Sequence, residues 1–199
     1  MLGIYSPMLL AIDIGNTSLN AAIFQGKKIV QRLRLPQNEI SLKSLKKLFS
    51  FKIKLEGVIV TSVVPKVDSL LTQVVQQTFA LTPLIVQAKN IGVAVSYCNP
   101  KEVGTDRLVN ARAAFEKYQT ALLIVDFGTA TTFDYINSQG AYCGGAIAPG
   151  IELANESLHL KTAQLPKVPI KKTARVIGKR TAQNMQAGVF HGYVGLTDH

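Results

Sequence analysis

Apolar residues in the first third of the chain fall into short stretches separated by polar punctuation. Met8 to Ile14 is an apolar run broken at Asp13, while Leu19 to Gln25 and Lys28 to Leu35 place Ile, Leu, Phe and Val among polar residues. Stretches of this length and composition predict three consecutive β-strands, with Gln25-Gly26 as the hairpin turn between the last two. From Glu39 to Ser50 the period changes: Ile40, Leu42, Leu45 and Leu48 lie near helical spacing and lysines fill the other face. Gly57 to Ser62 then predicts a short β-branched strand. Lys66 to Phe79 follows as an amphipathic helix entered through Pro65, where a missing N–H costs little. Thr82 to Gln87 predicts one more strand.

The second half begins the same way. Asp106 to Tyr118 predicts a helix, and strands are expected at Leu122 to Val125, Thr131 to Ile136 and Ala141 to Ala148. Pro149-Gly150 punctuates before a helix over Ile151 to Leu160. A Lys- and Pro-containing loop, Lys161 to Thr173, leads to a last helix beginning near Thr181. Leu9 to Gly15 aligns with Leu122 to Gly128, so an apolar strand ends in Asp-x-Gly twice. Each copy continues through small polar residues, Asn16-Thr17-Ser18 or Thr129-Ala130-Thr131-Thr132, to a turn glycine, Gly26 or Gly140.

One supersecondary unit used twice predicts an α/β fold of two related domains. The pattern is similar to the actin, hexokinase and Hsp70 superfamily, which implies two actin-like (ribonuclease-H-like) domains with a nucleotide cleft between them. The expected division gives residues 1–105 to the first domain and 106–199 to the second, which is incomplete at its C-terminus. Fold likeness alone names no substrate.

Composition narrows the classes. Of 199 residues, 47% are apolar and 17% charged, enough apolar material for a folded core rather than a disordered chain. Cys98 and Cys143 have no metal-ligand spacing and lie in different predicted elements, so neither a zinc site nor a disulfide framework is suggested. With no basic leader and no apolar run long enough to span a bilayer, the expectation is a cytoplasmic protein without a membrane anchor. The net charge of +10 resides mainly in Lys43 to Lys54 and Lys161 to Arg180, with few aromatics interleaved. That favours solvated basic faces that also attract a polyanion such as ATP over a nucleic-acid surface, which would normally offer stacking platforms.

Three segments carry candidate chemistry. Asp13-Ile14-Gly15-Asn16-Thr17 sets an acid, a residue without Cβ and two hydrogen-bonding side chains in one turn, a combination that suits phosphate oxygens and Mg²⁺. A plain hairpin turn uses the same residue types. The second copy, Asp126-Phe127-Gly128-Thr129-Ala130-Thr131-Thr132, repeats the design and weighs against coincidence. Gly104-Thr105-Asp106-Arg107 opens a helix with a carboxylate next to a guanidinium, a pair suited to taking a proton from a hydroxyl and steadying nearby negative charge. Asp106 as a simple helix cap and Arg107 as a solvated first-turn residue remain the alternatives.

These motifs, in this order, resemble the signature segments of type III pantothenate kinases. Ile12 to Thr17, Glu102 to Ala111 and Val125 to Phe133 carry the resemblance, and Gly144 to Gly150 with Ile177 to Lys179 and Met185 to Gly188 extend it along the chain from Met8 onward. The resemblance implies ATP-dependent phosphorylation of pantothenate to 4'-phosphopantothenate, the first step of coenzyme A biosynthesis. It implies that Asp13, Ile14, Gly15, Asn16, Thr17, Ser18, Leu19 and Asn20 form the first ATP-phosphate segment. Thr129 would contact ATP from the other domain, with Mg²⁺ as the divalent ion and Asp126 binding a monovalent cation, K⁺ or NH₄⁺. Tyr97, Gly104, Thr105, Asp106, Arg107 and Thr181 would contact pantothenate, with Asp106 accepting its hydroxyl proton. On the residues alone, Tyr97 also suits strand packing and Thr181 a helix cap.

The family also implies a homodimer. Two departures stand out: Thr105 replaces the family's usual Ala, and family members continue past the Gly192 to Leu196 helix, so a C-terminally shortened form is expected here. Another small-molecule kinase of the superfamily, or a non-catalytic regulator that kept the fold, are the competing functions.

Overall fold

The computed structural model describes residues 7–198, which form two compact units, one ending at Tyr118 and the other beginning at Gln119. The first unit is built on a five-stranded sheet in the order β3-β2-β1-β4-β5. Strands β1 (Met8–Ile14), β2 (Ser18–Gln25) and β3 (Lys28–Pro36) form an antiparallel meander, and Gly26, with φ of 58°, turns the second hairpin. β4 (Gly57–Ser62) returns parallel to β1, and β5 (Leu84–Ile85) parallel to β4. Helix α1 (Leu42–Leu48) makes the first crossover, α2 (Pro65–Phe79) the second.

One face of this sheet is dry. Leu10, Ile12 and Ile14 of β1, Leu19, Ala21 and Ile23 of β2, and Val58 and Val60 of β4 alternate inward and meet Leu45 of α1 and Val67, Leu71, Val74 and Val75 of α2. The helical spacing of the α2 set and the period of two along the strands are what bring these side chains to one layer. Phe49, Phe51 and Phe79 close the end of the core, with Phe51 and Phe79 stacked at 5.3 Å between ring centroids.

Local chemistry trims the predicted elements. The helix expected from Glu39 starts at Leu42 because Ser41 caps it, its hydroxyl accepting from the Ser44 N–H while the Ser44 hydroxyl accepts from the Ser41 N–H. Gln37–Glu39 is a short 3₁₀ turn instead. The strand expected over Thr82 to Gln87 contracts to two residues, since only Leu84 and Ile85 pair with β4. A one-turn helix, α3 (Ala88–Ile91), follows it.

Helix α4 (Thr105–Tyr118) packs against α3 and β4, and therefore belongs with the first unit. The division falls after Tyr118, whereas the sequence suggested residue 105; the packing of α4 accounts for the difference.

The second unit carries a three-stranded antiparallel sheet in the order β6-β7-β8, formed by Leu122–Phe127, Ala130–Ile136 and Tyr142–Pro149. Helix α5 (Ile151–Leu160) packs on β7 and against α6 (Thr181–Asp198). Among the described residues no further strand joins β6, and the segment between α5 and α6 has no regular structure. Its interior holds a polar pin: Asp134, fully buried, accepts hydrogen bonds from the Tyr142 hydroxyl at 2.9 Å and the Thr132 hydroxyl at 3.2 Å. No helix among the described residues is long and apolar enough to cross a membrane.

Candidate active site

Asp13 closes β1 on the face of the sheet opposite α1 and α2. Its register partners are Asn20 on β2 and Thr61 on β4, and Asn20 in turn faces Arg34 on β3. Paired residues project to the same side of a sheet, so Arg34, Asn20, Asp13 and Thr61 make one polar row across four strands. Within that row the Thr61 hydroxyl donates to Asp13 Oδ1 at 2.8 Å and fixes the carboxylate at the strand end. Thr61 is a neighbour of the candidate site that sequence reasoning did not single out. Its signal is weak in a linear reading, because it lies 48 residues from Asp13 and reads as an ordinary β-branched strand residue.

Beyond Asp13 the chain turns through Gly15, whose N–H donates to the Ser18 carbonyl at 3.0 Å. The predicted phosphate segment therefore divides by direction. Ile14, Ser18 and Leu19 are buried, leaving only their backbone to meet a ligand, whereas Asp13, Asn16, Thr17 and Asn20 are exposed. A Cβ on Gly15 would lie 3.6 Å from its nearest neighbour, an ordinary contact. Gly128, in the β6 to β7 turn, gives 3.5 Å. Internal packing thus requires glycine at neither turn.

Both turns are β-hairpin connections, between β1 and β2 and between β6 and β7. In the second, Gly128 N–H donates to the Ala130 carbonyl at 3.0 Å, and Gly150 N–H donates to the Thr129 carbonyl at 2.9 Å. Asp126 and Thr129 are exposed at this turn. The same contact explains Gly150: a Cβ there would collide with the carbonyls of Gly128 and Thr129, so the start of α5 is seated directly on the turn.

At the third segment, the first backbone bond of α4 runs from Leu108 N–H to the Gly104 carbonyl at 3.3 Å. Asp106 accordingly stands inside the first helical turn rather than at the cap, and its carboxylate folds back so closely over Gly104 that a Cβ at that position would strike it. Arg107 is half-buried instead of fully solvated. The Thr105 hydroxyl is buried without a hydrogen-bond partner. Tyr97 is 44% exposed in the loop before α4 and does not pack in a strand.

A concavity of about 590 Å³ on the first unit adjoins Asp13, and none of Gly104, Thr105, Asp106 and Arg107 lines it. Asp13, Asn20 and Thr61 stand at one end, Ala11, Ala22, Phe24 and Ile59 make its apolar floor, and Val109 of α4 contributes to its wall. Val109 lies three residues beyond Asp106 and so on the same side of α4. Asp13 and the helix that carries Asp106 therefore border one depression.

In the second unit Thr181 is the first residue of α6 and is exposed. Among the described residues no group of three or more His, Cys, Asp or Glu side chains converges as a metal site. A divalent ion at Asp13 would hence complete its shell with water and phosphate oxygens, a donor set that suits Mg²⁺. A monovalent cation at Asp126 would draw on oxygens of the adjoining turn.

Comparison with known proteins gives these elements a family. The profile of the family described as type III pantothenate kinase matches residues 9–199. The type III pantothenate kinase of Citrifermentans bemidjiense is 44% identical over 201 residues, covering 96% of this chain and 79% of the relative. That of Geobacter sulfurreducens is 42% identical with the same coverage. That of Listeria welshimeri is 41% identical, covering 94% of this chain and 76% of its own. Among solved structures, a Baf family protein from Campylobacter jejuni superposes with a TM-score of 0.58 at 21% identity, covering 95% of this chain and 78% of that one, a likeness of fold. On the profile and the relatives together, this chain belongs to the type III pantothenate kinase family.

Proposed function

We propose that the protein transfers the γ-phosphoryl group of ATP to pantothenate, giving 4'-phosphopantothenate and ADP, the first step of coenzyme A biosynthesis. Family membership carries the reading, and the depression bordered by Asp13 and α4 supplies its geometric support.

The backbone of Asp13 to Asn20 receives the ATP phosphates, with Asn16 and Thr17 as side-chain donors. Thr129 of the second unit is a further ATP contact, and each unit corresponds to one actin-like domain of the repeat. Tyr97, Gly104, Thr105, Arg107 and Thr181 hold pantothenate. Asp106 takes the proton of its primary hydroxyl as that oxygen forms its bond to the γ-phosphorus and the bond to the bridging oxygen of ADP breaks. Arg107 steadies negative charge close to the acceptor. Mg²⁺ held through Asp13 would neutralise phosphate charge, and K⁺ or NH₄⁺ would sit at Asp126. The half-burial of Arg107, the placement of Asp106 inside the first turn and the two glycines that packing does not require all support this assignment. A cytoplasmic homodimer is the proposed form.

The test is ADP release from purified protein supplied with ATP, Mg²⁺ and pantothenate, with and without K⁺, beside a panel of other small alcohols. Turnover with pantothenate that rises with K⁺ is expected. Turnover only with another alcohol would move the assignment to a different kinase, and no turnover with any of them would favour a non-catalytic role.

A further inference from the structure

The basic stretch that the proposed chemistry leaves unused is organised. Between α5 and α6 the chain carries seven Lys and Arg residues from Lys161 to Arg180, and no Asp or Glu occurs from Ser157 to Thr197. Five of these cations, Lys171, Lys172, Arg175, Lys179 and Arg180, line a single pocket of about 540 Å³ within the second unit. No ion pair joins any of the five to a described carboxylate.

The loop that presents them is fastened to α6. Gln186, 7% exposed, donates through Nε2 to the Pro169 carbonyl at 3.1 Å. The Thr173 hydroxyl lies 3.0 Å from His191 Nε2, and Lys179 N–H donates to Gln183 Oε1 at 3.0 Å. Gly178 lets the loop close on the helix, for a Cβ there would come within 2.6 Å of Asn184 Oδ1 and 2.7 Å of Gln183 Cβ. The positive groups are thus held around one space by contacts that do not involve their own charges. Like charges gathered around one space repel, most strongly at low salt because all five residues are exposed. A bound anion offsets that cost, and an anion with several negative oxygens meets more of the five than a lone carboxylate would.

We propose that this pocket is a binding site for a polyphosphate chain of two or more phosphate groups, distinct from the ATP segment at Asp13. Lys171, Lys172 and Arg175 supply its dedicated charges. Lys179 and Arg180 stand at the start of α6, where the helix N-terminus adds to the attraction. The ligand is a nucleotide's phosphate chain or free inorganic polyphosphate, the chemistry at the pocket being the same.

Isothermal titration of the full protein with inorganic tripolyphosphate at low salt tests it, with ATP as a second titrant to separate the two sources. The parent is expected to show two classes of site. In Lys171→Ala/Lys172→Ala/Arg175→Ala one class weakens at least tenfold, by the loss of three charges from the pocket, while the KM for pantothenate stays within twofold. Lys171→Arg/Lys172→Arg/Arg175→Lys is expected to restore binding. All three side chains belong to exposed residues or lie at the loop surface, and Arg175→Gln alone serves as a milder variant if the triple one loses structure.

If ATP competes for the second class, the source is a nucleotide; if tripolyphosphate alone occupies it, free polyphosphate is the ligand. Identical isotherms for parent and variant would overturn the proposal. So would binding of a single-stranded oligonucleotide without tripolyphosphate, or a raised KM for pantothenate with tripolyphosphate unaffected. A parent with one class of site that vanishes in the triple variant would uphold this pocket while removing support for the ATP segment at Asp13, so the two readings fail separately.

Discussion

The two units open on the same motif and hold it by different means. In the first, β1 lies inside a five-stranded sheet, flanked by β2 and β4, and its inward residues join an apolar cluster with α1 and α2. In the second, β6 stands at the edge of three strands, and Leu123 and Phe127 are each 60% exposed. Asp13 receives a hydroxyl from Thr61 on β4, whereas β6, which carries Asp126, has a strand neighbour on one side only among the described residues. A strand beyond the motif therefore does two things at once: it buries the motif strand and supplies a side chain that fixes its acid. The second unit carries a buried polar cluster in its sheet, Asp134 with Tyr142 and Thr132.

Breaking each support separately sharpens the contrast. Leu71→Ala removes a fully buried side chain between α2 and the first sheet and should cost about 2–5 kcal/mol, the range for emptied core sites. Hydrogen exchange followed by mass spectrometry should rise over β4 and α2 and stay unchanged over β7 and β8; a uniform rise would mean that the units do not open independently. Tyr142→Phe leaves the buried Asp134 carboxylate short of a donor, at about 1–3 kcal/mol, and the exchange should now rise over β7 and β8 alone.

Thr61→Val keeps the shape of the residue but deletes the bond to Asp13. Turnover should fall about tenfold, as expected for loss of one hydrogen bond to a charged group, and Thr61→Ser should recover most of it. Equal loss in both variants would point to packing instead. Thr105→Ala is the smallest change: it removes a buried hydroxyl without a partner and should leave stability the same or raise it by about 1 kcal/mol, read from thermal unfolding.

Much of the first unit was legible in the sequence, since its strands are marked by short apolar and β-branched runs and α2 by amphipathic spacing after Pro65. Met8 to Ile14 and Gly57 to Ser62 form as expected because burial of one face demands their alternation. The length of α1 was not legible from periodicity alone, as Ile40 fits the helical spacing yet lies ahead of the Ser41 cap. The chain pattern placed the boundary between Lys101 and Leu122, and the division falls after Tyr118 within that range; that α4 goes with the first unit was not legible, since nothing in its own pattern reveals that it packs on β4. Of the candidate site, Asp13 and Asp126 were visible through repetition and Asp106 through its neighbours. Thr61 was hidden because strand register, a long-range property, brings it to Asp13.

The proposed transfer depends most on Asp106 as the proton acceptor. Asp106→Asn preserves the size of the side chain beside Gly104 and removes its basicity, so turnover of pantothenate should drop about 10²–10⁴-fold, the usual worth of general base catalysis, while ATP affinity by titration stays within about twofold. A variant that releases ADP from ATP and pantothenate at the parent's rate would contradict it.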